Sequence, residues 1–545
     1  MKFYLLALGL AAQFFIANEP ALAQPGPLAH WPLTADAGDI SGNGLDAAVH
    51  GVVFDAKEGA LFDGRGAFLE VPHHDLLDLG TGDFTVALWV HTEALLDDTL
   101  GDLVTKYDPD TRKGLNFGIM NYHGVVCAQS NYRNLFFGLD DGTPSEDWQD
   151  RGRPGESVYP MSLCVYEGNL YAGTFEHGAE GRGHVYRYAG GDRWEDCGTP
   201  FPSNAISALA VHNGELYAAA SHYRSGGSAL GDSENTLHGG RVYRYKGGME
   251  WEDCGKLGEI EAIYGLASFN GQLYASSLYA PAGLFRYEGG TAWTDLGNPG
   301  GRVEALGVHN GHLYGTGFDL GYSGVYRYDN PGWTDCGTPR DTTQTYSFMQ
   351  HGGELFVGTW PIGNVFVLGA PGEWQDRGPL GEEKESMGMA VYNGKLYAGT
   401  LPLANVYRYD GDTTWTDTGR LDATPDVQYR RAWSMAVFDG KLFCGVLPSG
   451  RVLSYEAGRS ISRDHELPAG WVHLAAQRKG GALNLYLDGK RVNETSDANL
   501  DISNEAPLKI GLGQHDYFNG RMKDLRLYGR ALDGSEIATL AANRE

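Results

Sequence analysis

The chain has 545 residues, 42% of them apolar and 20% charged, which excludes a disordered polymer and leaves room for roughly two to four domains. Its formal charge of −27 and the lack of any basic run exclude a surface built to neutralise nucleic-acid phosphates. The 79 glycines and 31 tyrosines suit many short strands joined by tight turns.

The chain opens with the pattern of an export signal over residues 1–23. Lys2 supplies the positive end, and Phe3 to Ile16 is mostly apolar, broken only by Gln13. Ala21-Leu22-Ala23 is a small-residue cleavage site that leaves Gln24 as the mature start. No Cys follows the cleavage point, which argues against a lipid anchor. The apolar run is too short to span a bilayer comfortably, and no other segment is long and apolar enough. A secreted or periplasmic protein without membrane insertion is expected.

Residues 24–145 carry Trp31-Pro32-Leu33, a polar turn from Asp39 to Gly44, Ala60-Leu61-Phe62-Asp63-Gly64, and a strand from Asp83 to Val90. In that strand Phe84, Val86, Leu88 and Val90 alternate with Thr85, Ala87 and Trp89, as one strand of a sandwich requires.

Residues 146–458 repeat themselves. Units start at Trp148, Trp194, Trp251, Trp293, Trp333, Trp374 and Trp415, with spacings of 46, 57, 42, 40, 41 and 41. Each unit begins with Trp-x-Asp-x-Gly, continues through an apolar stretch and an Asn-Gly or similar turn to Leu-Tyr or Leu-Phe, and reaches a Val-Tyr-Arg-Tyr strand such as Val185 to Tyr188. A period near 40 with strand-like contents predicts propeller blades. The last unit ends at Val452-Leu453-Ser454-Tyr455 without a Trp strand, and the Trp148 strand has no blade before it. One completes the other, which closes a seven-bladed ring and brings its two ends together.

Residues 459–545 carry Trp471 to Ala475, Leu485-Tyr486-Leu487-Asp488-Gly489-Lys490, and Gly520 to Tyr528. Leu483, Leu485 and Leu487 alternate before the Asp-Gly turn. Half a sandwich would expose its core, so the two flanks are expected to fold together around the inserted ring.

The flanking segments, in this order, resemble the laminin-G-like, concanavalin A-type (pentraxin-like) jelly roll. The repeats resemble the kelch family, in which a Tyr precedes a Trp by a few residues, as Tyr188 precedes Trp194 and Tyr409 precedes Trp415. Where kelch blades carry Gly-Gly after the second strand, this chain reads Ala172-Gly173, Ala398-Gly399 or Cys444-Gly445, so the resemblance is to a divergent kelch-like ring. The expected fold is all-β: a concanavalin A-like jelly-roll β-sandwich over 24–145 and 459–545, with a seven-bladed β-propeller inserted over 146–458.

Calcium is the cofactor this resemblance implies. Asp39, Asn43, Asp63 and Asp524 fall in the segments that match the jelly roll's metal-bearing regions, and calcium takes several hard oxygen ligands. The alternative is that these residues only shape turns. In the ring, aligning units on the hairpin Gly places Tyr159, Tyr264, Arg302, Glu304, Tyr346, Glu385, Arg431 and Trp433 near the starts of inner strands, around the channel mouth. The largest insertion, Ser221 to Gly240, adds His222, Tyr223 and Arg224 on the same variable face. Aromatic rings with a few charges suit a sugar or glycopeptide, although several of these side chains could simply fill the channel.

The Asp shared by every unit is read as structural. His73-His74-Asp75 reads as a surface loop, because adjacent side chains in a strand face opposite ways. Cys197, Cys254 and Cys336 share one outer-strand position in different blades, too far apart to bridge, so mostly free thiols are expected. Cys164 and Cys444 flank the ring closure, the one place where a pair could meet.

The function expected is a secreted, non-catalytic, lectin-like recognition protein whose partner is a glycan or glycoprotein. A propeller-borne glycoside hydrolase or lyase is the alternative, with Glu304 and Glu385 as its candidate carboxylates. A third reading is an extracellular scaffold for protein contacts. A copper radical oxidase would need Tyr and His ligands at the channel mouth, and none can be assigned.

Overall fold

The computed structural model describes residues 26–145, 147–227 and 230–543. The expected signal over residues 1–23 and the expected mature start at Gln24 lie outside the described residues. Among the described residues, apart from short 3-10 turns and one α-helix, Gly534–Ala542, the regular structure is β-strand. Asp533 starts that helix by accepting the N–H groups of Ser535 and Glu536, while Glu536 accepts the Asp533 N–H in return.

Two sheets are built jointly by the flanks. In one, Phe84–Thr92 lies between Asn519–Tyr528 and Gly470–Lys479 and pairs antiparallel with both. In the other, Leu508–Ile510 lies between Phe68–Val71 and Gly101–Asp108, and Arg459–Arg463 pairs with Asn131–Asp141. Each sheet mixes strands from before and after the repeats, so neither flank closes a core alone. Phe84, Val86, Leu88 and Val90 point into that core, where Phe84 meets Phe137 of the facing sheet edge-on at 6.1 Å. The opposite face of the strand is buried too, because Ala87 packs with Ile537 under the helix.

The repeats were expected to give seven separate blades. The structure separates five four-stranded sheets, whose inner strands are Ile263–Phe269, Val303–His309, Gln344–His351, Glu385–Tyr392 and Arg431–Phe438. The remaining eight strands form one continuous sheet, because the ladder pair Phe175↔Ala205 joins the second strand of the first unit to the inner strand of the next. Inner strands touch in succession from Tyr159–Tyr166 through Ala205–His212 and the five just named, and Arg431–Phe438 touches Tyr159–Tyr166 again. The closing ladder lies where the sequence placed it: Gln149 pairs with Ser454 and Asp150 with Leu453.

The repeat residues explain themselves locally. In every Trp-x-Asp-x-Gly the carboxylate accepts the Gly N–H at 2.7–2.9 Å, from Asp150–Gly152 to Asp417–Gly419. A Cβ at Gly255, whose φ is +98°, would lie 2.2 Å from the Thr291 carbonyl, so only glycine fits there. In most units the Trp indole N–H crosses to the preceding unit: Trp251 donates to the Cys197 carbonyl, and Trp293 to that of Cys254, both at 2.8 Å. The six cysteines are free and buried, Cys164 and Cys444 included.

One element of the sandwich reaches into the ring itself. The connection between Lys113–Tyr122 and Asn131–Asp141 leaves the sandwich and enters the ring. The Gly124 carbonyl accepts the Phe348 N–H at 2.9 Å, Ser130 accepts from Val165 at 2.8 Å, and Gln129 donates to Leu209 at 3.1 Å. The Gln129 side chain accepts from Ser268 at 3.0 Å, and Asn131 bonds Val437 in both directions. All five partners lie in the C-terminal halves of inner strands. At the tip, Val125 and Ala128 exchange backbone bonds around Val126 and Cys127. Val126 has a φ of +54°, which for a branched residue costs about 1–3 kcal/mol and persists only where packing over-determines it.

Candidate functional site

The inner strands run in one sense around the ring, so their N-terminal ends share one mouth and the sandwich hairpin stops the other end. Val126 and Cys127 belong to the same buried cluster as Tyr159, Tyr264, Tyr346 and Trp433. The channel is therefore a cup with a floor. Its volume is about 330 Å³.

Of the residues expected at the mouth, Tyr264, Arg302, Glu304, Tyr346, Glu385, Arg431 and Trp433 line this cup, together with Tyr223 and Arg224 from the insertion. Tyr159 does not line it. It is fully buried behind the wall, edge-on to Trp433 at 5.2 Å and to Tyr223 at 5.8 Å. His222 turns away and faces Glu261, with Nδ1 at 3.1 Å from Oε2. Met161, Leu278, Tyr279 and Phe318 complete the wall and were not foreseen. Leu278, Tyr279 and Phe318 directly follow the second strands Gln272–Ser277 and His312–Gly317, as His222 and Tyr223 follow Glu215–Ser221. That shared offset is the signal that could have found them.

The polar groups of the cup are unusual in having few partners. Arg302 donates Nε–H to Asp319 at 2.7 Å, lies over the Phe318 ring at 4.4 Å, and holds Nη1 at 3.6 Å from Glu304. Neither Glu304 oxygen accepts a hydrogen bond within the protein, although the side chain is buried. Burial raises the Glu304 carboxyl to about 8, against the pull of Arg302. Burial likewise raises Glu385 to about 7, opposed by Arg431 and by Tyr346. Arg431 leaves Nε and Nη1 without protein partners, beside the Trp433 ring. Burial works most strongly against its charge, but Glu385 together with Tyr223, Tyr159 and Tyr346 more than offsets it, and its pKa rises. Trp433 is fixed by its indole N–H, which donates to the Met161 carbonyl at 2.9 Å. The cup thus offers aromatic faces, protonatable carboxyls and open guanidinium N–H groups to one small ligand.

The residues proposed for calcium separate. Asp39 accepts the N–H groups of His30, Ser41 and Leu45 and the Ser41 hydroxyl, at 2.7–3.1 Å. Asp524 faces His30 Nε2 at 2.7 Å and Arg526 Nε at 2.9 Å. The Asn43 amide donates to the Leu28 carbonyl at 2.9 Å. Asp63 pairs with Asn519, five residues along the strand from Asp524 and so about 17 Å away, and its Oδ1 accepts three loop N–H groups. With donors aimed at these carboxylates and Asp63 remote, the set does not fit an oxygen cage for calcium. The segment of His73, His74 and Asp75 is an exposed loop, where His74 accepts the Leu76 N–H at 3.1 Å.

The Laminin_G_3 family model, described as the concanavalin A-like lectin/glucanases superfamily, matches residues 428–538. The match begins at the last repeat and runs through the second half of the sandwich. No curated protein matches the chain. Among solved structures, virginiamycin B lyase from Staphylococcus aureus is 11% identical, covering 57% of this chain and 98% of that one, with a TM-score of 0.45. A catalytically inactive variant of that lyase with quinupristin is 12% identical over the same shares, with a TM-score of 0.44. BamB from Moraxella catarrhalis is 10% identical, covering 59% of this chain and 96% of that one, with a TM-score of 0.33. Likeness this distant carries no functional statement.

Proposed function

We propose that the protein is an exported recognition protein that binds a glycan or glycoprotein in the cup at the ring mouth. The observation that carries this is the pairing of aromatic walls, Tyr264, Tyr346 and Trp433, with the unpartnered polar atoms of Glu304 and Arg431 in one cavity of about 330 Å³. A sugar presents C–H faces to rings and hydroxyls to carboxyl and guanidinium groups. The volume lies at the small end of the range of roughly 300–1,000 Å³ for ligand sites, which suits a chain end better than a polysaccharide run. The lectin-type match of the sandwich supports a binding role. A glycan array tests the reading, with Tyr264→Ala and Tyr346→Ala expected to lose the signal.

We infer further that the ring comprises seven kelch-like blades inserted over 146–458. Seven Asp–Gly turns and the circle of inner strands support this count, with the eight-stranded sheet read as two blades. The recurrent Tyr–Trp contacts support the kelch likeness: Tyr188 meets Trp194 at 5.2 Å and Tyr409 meets Trp415 at 4.9 Å.

A second reading, a propeller-borne glycoside hydrolase or lyase, draws on one specific feature. Glu304 and Glu385 line the same cup with carboxyls raised to about 8 and about 7, the range in which one can serve as a general acid near neutrality. Polysaccharide cleavage lost on Glu304→Gln or Glu385→Gln would favour it over simple binding.

A further inference from the structure

Beside the cup, and apart from the carbohydrate reading, the structure assigns a site for a zinc-class divalent metal ion to His222, His238 and Glu261. The ligand atoms of these three side chains all lie within 4.8 Å of one another. His222 Nδ1 and His238 Nε2 converge on the same carboxylate oxygen, Glu261 Oε2, at 3.1 and 3.3 Å. Two imidazole nitrogens and one carboxylate oxygen form a donor set that suits zinc and its neighbours, and three protein ligands leave a position for water or substrate.

The backbone holds this set in place. The Glu261 carbonyl accepts the N–H of His222 at 2.9 Å and that of Gly239, next to His238, at 3.0 Å. One residue thereby positions both imidazole-bearing segments of the insertion. The two rings lie nearly parallel, 13° apart with centroids at 5.9 Å, so neither blocks the other's nitrogen. Arg224 takes the second carboxylate oxygen, Oε1, which leaves Oε2 as a single-oxygen ligand and orients it from outside. The Glu261 side chain is 6% exposed and that of His238 66%, so the ion would be anchored from below and open to solvent above. Arg224 also lines the cup, which puts the metal at its rim.

The test is titration of the purified, metal-stripped full chain with zinc(II), and with cobalt(II) as a spectroscopic probe. One equivalent should bind, and cobalt should show the visible ligand-field band of a nitrogen- and oxygen-ligated site. His222→Gln, His238→Gln and Glu261→Gln should each weaken zinc binding about tenfold to a hundredfold or more. His238 is exposed, so His238→Gln is expected to keep the wild-type circular dichroism and melting temperature, and its loss of binding cannot be a loss of fold. No stoichiometric binding by the wild-type chain, or unchanged affinity in a folded His238→Gln variant, overturns the assignment. Glycan binding is read separately, on Tyr264→Ala, so failure of one reading leaves the other standing.

Discussion

Arg302 holds its Nη1 3.6 Å from Glu304 Oε1, beyond hydrogen-bond reach, with that Nη1 donating to the Leu278 carbonyl at 3.0 Å and its Nε–H to Asp319 at 2.7 Å. Burial keeps the proton on Glu304 against the pull of the Arg302 charge, and neither of its oxygens accepts a hydrogen bond within the protein.

This arrangement sets a pH dependence. Glu304 and Glu385 titrate at about 8 and about 7 in the folded protein, above the ordinary 4.5. The folded chain keeps protons that the unfolded chain has released, so this contribution is full below about pH 4.5 and is lost as pH rises towards 8. The buried imidazoles of His351 and His515 act oppositely. Burial lowers them to about 4 and about 3, so stability falls as pH drops below 6.5. Glu304→Gln should leave stability near pH 5 close to wild type and raise it by about 1–3 kcal/mol near pH 8. Denaturant unfolding at both pH values checks this, and an equal offset at both would contradict it.

The thiols give a direct check of the core. All six cysteines are buried and unpaired, and burial pushes Cys127, Cys164 and Cys444 above the ordinary thiol range. Native protein should react negligibly with a thiol reagent such as DTNB, and protein in strong denaturant should release six equivalents without reductant. Fewer than six would reveal a disulfide.

The indole bonds between units should be measurable. Trp251→Phe keeps a ring and removes the N–H that reaches the Cys197 carbonyl at 2.8 Å. A loss of about 0.5–1.5 kcal/mol in chemical denaturation is expected. Trp333, whose indole N–H has no such partner, should lose less in Trp333→Phe.

Calcium should not stabilise the sandwich. The carboxylates of Asp39 and Asp524 already accept protein donors. Excess calcium or a calcium chelator is expected to leave the melting temperature unchanged; a clear rise with calcium would restore the expectation drawn from the jelly-roll resemblance.

Much of this was legible in the chain because the relevant signals repeat or alternate. The Trp-x-Asp-x-Gly repeats pointed to the ring and to the closure of the Trp148 strand on Val452–Tyr455, seen as Gln149↔Ser454, and aligning units on the hairpin Gly placed Tyr264, Glu304, Tyr346, Glu385, Arg431 and Trp433 at one mouth. The entry of the 123–130 connection into the ring is not legible within residues 24–145, because nothing local announces that Gly124 will bond Phe348 more than two hundred residues away. The metal-ligand set was invisible for a similar reason: His222, His238 and Glu261 meet only when the insertion folds back on the next unit. The one eight-stranded sheet of the ring turned on a single ladder pair, Phe175↔Ala205, which no local signal announces. The calcium expectation rested on residue types alone, and a polar turn and an oxygen cage use the same residue types.

The most direct test of the account is glycan-array binding by the full chain, run beside Tyr264→Ala and Tyr346→Ala with folding checked by circular dichroism. The cup predicts that the wild type retains one family of glycans and that each variant loses about tenfold or more in affinity. A folded wild-type protein that retains no glycan, or variants that bind as tightly as wild type, would contradict it.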